Sequence, residues 1–188
     1  MRKTRGRRFC AHNHLRTKIV LYLRYGPRAN KKITVRTRHK KIRSRLFFSM
    51  VVTGSCACGA LKYQIDAEPP FKKALCHCGN CQKLSGTSYT TNVLVPRTSF
   101  KLLSGTPKDW SFTQNPSGIV FKTSFCGDCG GMIMKQSEDE AFKDVYIVQA
   151  GTADGDAFAG APDVELWVPQ RQAWVNAVHG AAQAQTFA

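Results

Sequence analysis

Seven cysteines between residues 56 and 129 fall into three tight clusters: C-x-C at Cys56 and Cys58, C-x-C-x-x-C at Cys76, Cys78 and Cys81, and C-x-x-C at Cys126 and Cys129. Each cluster has to bring its sulfurs to a common partner, which restricts the fold more than any other feature of the chain. Disulfides fit poorly: the number is odd, C-x-C pairs on adjacent backbone are awkward to bridge, and no convincing secretory signal precedes them. Metal binding fits well. Residues i and i+2 of an extended strand share a face, so Cys56 and Cys58 are expected on a strand with both sulfurs turned to one ion. In "CGDCGG", Gly127, Gly130 and Gly131 permit the turn that aims Cys126 and Cys129 at one ion.

Pairing Cys56 and Cys58 with Cys126 and Cys129 makes a thiolate quartet of the structural kind, for which zinc is the usual metal. Such a site joins the start of the domain to a distant hairpin and stabilises the fold as the metal binds. The trio Cys76, Cys78 and Cys81 leaves one coordination position free, which is how a catalytic zinc is arranged. Two alternatives stay open: a fourth ligand from His179 or His77, or no second metal at all. Were Cys76 and Cys78 on one strand face, His77 would point the other way.

The formal charge of +16 is unevenly placed, since residues 1 to 50 hold 17 of the 28 Lys and Arg and none of the 12 Asp and Glu. The remainder has 11 basic and 12 acidic residues, about minus one. The basic character therefore belongs to an appendage and says nothing of what the folded part binds. Residues 1–50 show no sustained apolar periodicity and are expected to be a disordered extension. An upstream extension absent from the working protein, with a start at Met50, is the favoured reading. A mitochondrial-type presequence and a basic arm for nucleic acid are the others. Cys10, His12 and His14 have no second ligand pair nearby and read as incidental. The segment "RSRLFFSMVVTGSC" imitates a secretion or lipoprotein signal, but its basic region is roughly 45 residues long and cleavage would consume a needed cysteine. No apolar run approaches the roughly 18 to 20 residues that span a bilayer. Cysteine usage fits a reducing interior, cytosol first and mitochondrion second.

From Val51 onward the texture is that of a single, mainly β domain over 51–188. "LKYQID" alternates Leu61, Tyr63 and Ile65 against Lys62, Gln64 and Asp66. "SYTTNVLVP", "SFKLLSG", "IVFKTSF" and "VYIVQAG" are similar short runs bounded by turn residues. One short helix is expected in "GNCQKLSG", stopped by Gly86. Phe100, Trp110, Phe112, Phe121, Phe125, Trp167 and Trp174 read most simply as packing residues. Lys83, Lys73 and Tyr89 are candidate donors near the trio, with solvated faces the simpler explanation for the lysines.

The series "GSCACGALKYQI", "CHCGNCQKLSGTSYTTNVLVP", "FCGDCGG", "VQAGT" and "ELWVPQRQAWVNAVHGA" resembles the glutathione-dependent formaldehyde-activating enzyme family, also called the CENP-V/GFA domain. The resemblance implies an antiparallel, Mss4-like β fold with two Zn²⁺ ions per chain, one held by Cys56, Cys58, Cys126 and Cys129, the other by Cys76, Cys78 and Cys81. It implies a carbon–sulfur lyase acting on a thiol–aldehyde adduct, the named reaction being the reversible condensation of glutathione with formaldehyde. A zinc-stabilised interaction module without catalysis is the alternative, because fold alone does not fix function. A chromatin or cytoskeletal binder is a third reading, and a methionine sulfoxide reductase is disfavoured because no separate redox cysteine remains.

Overall fold

The structure, a computed structural model, describes residues 51–114 and 116–187. The basic extension with Cys10, His12, His14 and Met50 lies outside the described residues. The described part is mainly β, as expected. Its strands are β1 (Val51–Ser55), β2 (Lys62–Asp66), β3 (Lys72–Cys76), β4 (Thr90–Pro96), β5 (Phe100–Ser104), β6 (Lys108–Thr113), β7 (Val120–Phe125), β8 (Met132–Gln136), β9 (Val145–Gln149), β10 (Val164–Leu166) and β11 (Ala182–Gln183). A single α-helix, α1 (Gly79–Ser85), separates β3 from β4. One sheet has the order β1-β2-β5, the other β11-β10-β3-β4-β9-β8-β7-β6. Pairing is antiparallel except where β10 runs parallel to β3 and to β11.

Local chemistry explains the elements the alternation marked. In β2, Tyr63 and Ile65 are fully buried while Lys62 and Asp66 are exposed, the pattern of a strand with one wet face. They pack with Val52 of β1 and with Val93, Val95, Ile133 and Val148 of the larger sheet, so one core is shared by both sheets. Burying each such side chain contributes about 1.5–3 kcal/mol. Gly54 lies opposite Tyr63, and a Cβ there would sit 2.3 Å from the phenol ring. Only glycine lets that ring cross the strand, where its hydroxyl meets Thr152 Oγ1 at 2.9 Å. Helix α1 ends at Gly86 in the left-handed region with φ 67°, the expected stop.

Two expectations need correcting. Cys56 and Cys58 are not on a strand: they sit in the turn between β1 and β2, where their sulfurs converge because the backbone reverses. The aromatic residues divide. Phe112, Phe121 and Trp167 are buried and Trp110, though 53% exposed, stacks on Phe112 at 5.6 Å, but Trp174 is 74% exposed and is a surface residue. Strand β3 buries three consecutive residues at its end, so it carries no period-two alternation.

Candidate metal centre

Two hairpin tips from different sheets build the first cluster. Cys56 opens the β1–β2 turn and Cys126 the β7–β8 turn, and their backbones match. The amide of Cys56 donates to Leu61 and that of Gly59 to Cys56, while the amide of Cys126 donates to Gly131 and that of Gly130 to Cys126. Gly59 and Gly130 take φ 77° and 71°, the left-handed conformation that lets each chain fold back over its sulfurs. All four sulfurs lie within 4.8 Å of one another. Cys56 and Cys58 are 3.5 Å apart, and Cys58 and Cys126 3.7 Å. A zinc–sulfur bond of about 2.3 Å puts tetrahedral sulfurs about 3.8 Å apart, so the quartet fits that ion. The Leu61 amide also donates to Cys56 Sγ at 3.3 Å.

The second cluster is deep where the first is shallow. Cys76 ends β3, Cys78 caps the N-terminus of α1, and Cys81 lies in its first turn; all three are buried, with sulfurs within 4.8 Å of one another. The Cys81 amide donates to Cys78 Sγ at 3.4 Å. They line a cavity with Asn92, Gln114, Lys135 and a wall of phenylalanines. Of the histidines weighed as a fourth ligand, neither joins the trio. His77 points away and meets Glu165, with Nε2 to Oε2 at 2.9 Å, while His179 is exposed in a C-terminal turn.

The candidate donors near the trio in sequence are also elsewhere. Lys83 is exposed, Lys73 Nζ donates to the Gly160 carbonyl, and the Tyr89 ring packs edge-on against His77. The cation at the site is Lys135 of β8, only 4% exposed. Its Nζ donates to Asn92 Oδ1 at 3.0 Å and to Cys81 Sγ at 3.5 Å. Asn92 also accepts from Gln149 Nε2 at 3.0 Å, which fixes the orientation of its amide. No carboxylate forms an ion pair with Lys135 among the described residues. A buried ammonium needs a counter-charge, and the sulfurs are the groups that can provide it.

A second layer holds the trio in place. Glu165 of β10, paired in parallel with Leu75, accepts from His77 and from the Val178 amide and lies 3.5 Å from Arg171 Nε. Burial pushes its carboxyl up, but the Val178 amide and His77 together hold it below the ordinary range. An ionised carboxylate only accepts, so His77 Nε2 carries the hydrogen. Trp167 packs on the three cysteines in a left-handed conformation, φ 59°, which costs a non-glycine residue energy and persists only where packing imposes it.

Thiol acidity separates the two clusters. The Leu61 amide draws Cys56 down to about 6, and the Gly131 amide lowers Cys129; Cys58, although the Ala60 amide pulls it down, is pushed up to about 12 by Cys56 and Cys129. In the trio, hydrogen bonds from Cys76 and Cys78 hold Cys81 far below the usual thiol range, aided by the charge of Lys135. Cys78 and Cys81 in turn drive Cys76 far above it, and Cys78 is raised as well, Cys81 and burial outweighing the pull of Cys76. Left to themselves, three crowded thiols release one proton and resist the next. A cation among them removes that conflict, so the donor set fits a metal ion.

Comparison with known proteins adds two findings. The family described as glutathione-dependent formaldehyde-activating enzyme matches residues 51–170. Among solved structures, the chain is similar to the crystal structure of a Rhodobacter sphaeroides protein, with 19% identity, 55% of this chain and 88% of that chain covered, and a TM-score of 0.44.

Proposed function

The chain belongs to the glutathione-dependent formaldehyde-activating enzyme family, and from that premise we propose that it is a zinc-dependent carbon–sulfur lyase of thiol–aldehyde adducts. The observation that carries this reading is the buried trio of sulfurs facing a cavity with a lysine and no fourth protein ligand among the described residues. Cys76, Cys78 and Cys81 would hold the working Zn²⁺, and Cys56, Cys58, Cys126 and Cys129 the structural one. When bound at the trio, zinc supplies a positive charge that favours thiolate over thiol at neutral pH.

The chain's own residues do the rest. In the direction of breakdown, the carbon–sulfur bond breaks with its electron pair going to sulfur, the adduct's hydroxyl proton passes out to solvent, and a carbonyl forms beside a free thiolate. Condensation is the reverse, with the thiol's proton lost and one gained on oxygen. Three thiolates with Zn²⁺ would sum to minus one, and a substrate thiolate entering the cavity would add a further negative charge. Lys135, held by Asn92, offsets part of that charge in a place where water is excluded and electrostatic interactions are strong. The phenylalanine wall keeps water from competing for the carbonyl carbon. Glu165 and His77 fix the loop between Cys76 and Cys78, so the trio is positioned before substrate arrives.

The test is metal content together with turnover of S-hydroxymethylglutathione. Wild type should bind two zinc ions per chain, and Cys78→Ser should keep one while losing turnover. Unchanged turnover in Cys78→Ser would refute the reading.

A further inference from the structure

We propose that the side-chain amide of Gln114 donates a hydrogen bond to the oxygen contributed by the aldehyde, making Gln114 a substrate-binding residue that selects a small, uncharged reacting end. This rests on the lyase reading above and deepens it.

Gln114 follows β6, and its backbone is locked: its amide donates to Ile119 at 2.8 Å and its carbonyl accepts from Gly118 at 2.9 Å. Its side-chain oxygen accepts from Ser117 Oγ at 2.5 Å and from the Ser117 amide at 3.3 Å. A backbone N–H can only donate, so the oxygen must be at that end and the NH₂ group at the other. That nitrogen is buried without a hydrogen-bond partner among the described residues, although Gln114 is only 1% exposed. Buried donors are normally paired, and one left over beside a reactive cavity calls for an acceptor from outside. Gln114 lines the same cavity as the cysteine trio and Lys135.

Size and charge narrow what that acceptor belongs to. The cavity has a volume of about 50 Å³. About 10–15 Å³ of such space holds one water, so the cavity admits a group of a few heavy atoms, such as a sulfur with one carbon and its oxygen. Phe112, Phe121, Phe142 and Phe187 are among its walls and offer nothing polar. Asn92 Oδ1 already has two donors, and Lys135 is the one cationic side chain lining the cavity among the described residues. Carboxylates of a peptide thiol would find no counter-charge of their own there, so they stay outside while the sulfur and the one-carbon unit enter. The unpaired donor is then left for the neutral oxygen on that carbon.

The experiment compares wild type with Gln114→Met, which keeps length and removes the donor, and has two arms. Turnover of S-hydroxymethylglutathione is measured first, and kcat/KM should fall about 10- to 100-fold in Gln114→Met with zinc content unchanged. In the second arm the Gln114 side-chain amide signals of ¹⁵N-labelled wild type, assigned through their contacts with Ser117, are followed during titration with acetone, a small neutral carbonyl. They should shift ahead of the other side-chain amides. Equal kcat/KM in the two proteins overturns the proposal, as does a Gln114 signal indifferent to acetone. Should Gln114→Met fail to fold, the wild-type titration decides by itself. A wild type that turns over no adduct but shows the acetone shift refutes the lyase reading and leaves the Gln114 site standing.

Discussion

The two cysteine clusters share one ligand chemistry and live in opposite surroundings. The quartet sits at two hairpin tips, with Cys58 and Cys129 exposed, and backbone amides supply hydrogen bonds to its sulfurs. The trio is buried throughout, its sulfurs facing one another and a lysine across a cavity. On the proposed reading, four thiolates would complete a metal's coordination and tie the two sheets together, whereas three would leave a position for something that enters. Sulfur count thus distinguishes the two clusters, and burial and the lysine beside the trio distinguish them further.

The sharpest way to break this contrast is to damage the quartet. Cys126→Ser should prevent refolding to the native sheet structure, because metal binding at such sites contributes on the order of 10 kcal/mol to folding. Far-ultraviolet circular dichroism and thermal melting read this directly. A variant melting within a few degrees of wild type would remove the structural role.

A smaller effect is expected at the trio's cation. Lys135→Met should keep the fold while kcat falls about 100-fold, in the range seen when one preorganised electrostatic group is removed. It should also shift retention of the second metal. Without the ammonium the thiolates are less favoured, protons compete more strongly, and zinc should be lost at a higher pH than in wild type. Zinc release followed during acid titration checks the sign, and an unchanged midpoint would mean that Lys135 does not act on the sulfurs.

The smallest effect concerns the layer behind the trio. Glu165→Gln should destabilise by about 1–3 kcal/mol, since a buried group loses a charged partner. A carboxyl with a lowered folded-state value stabilises above its ordinary value of 4.5, and that contribution disappears as pH falls through the lowered value. The difference in melting temperature between wild type and Glu165→Gln should therefore be constant near neutrality and shrink only below the ordinary carboxylate range. A difference that already shrinks above that range would point to another group.

Much of this was legible from residue order, and the reasons are specific. Period-two alternation in "LKYQID" and the glycine after "GNCQKLS" report local geometry, which needs no distant partner, and both were found where expected. The membership of the two sulfur clusters follows from spacing. Lys135 was invisible because "MIMKQ" is apolar on both phases of the strand before the lysine, so nothing marks it as inward, although it shares the buried phase of Ile133. Gln114 had no signal either, since a lone glutamine beside a turn is ordinary until its second hydrogen bond is found missing. Lys73 and Lys83 are close to the trio in sequence but not in space, because strand and helix directions carry their side chains elsewhere, and Lys83 lies on the solvated face that was the simpler reading.

Sequence alone thus determined the three tight cysteine motifs, the β class and the stop of helix α1, all properties of residues close along the chain. Tertiary structure decided which cation reaches the sulfurs, which donor is left unpaired and which walls keep water out. Those depend on strand order and register, which bring Asn92 opposite Gln149 and Ile147 opposite Lys135 from segments more than forty residues apart along the chain in the first case and twelve in the second. No local pattern encodes such pairings, because they are selected by the packing of the whole sheet.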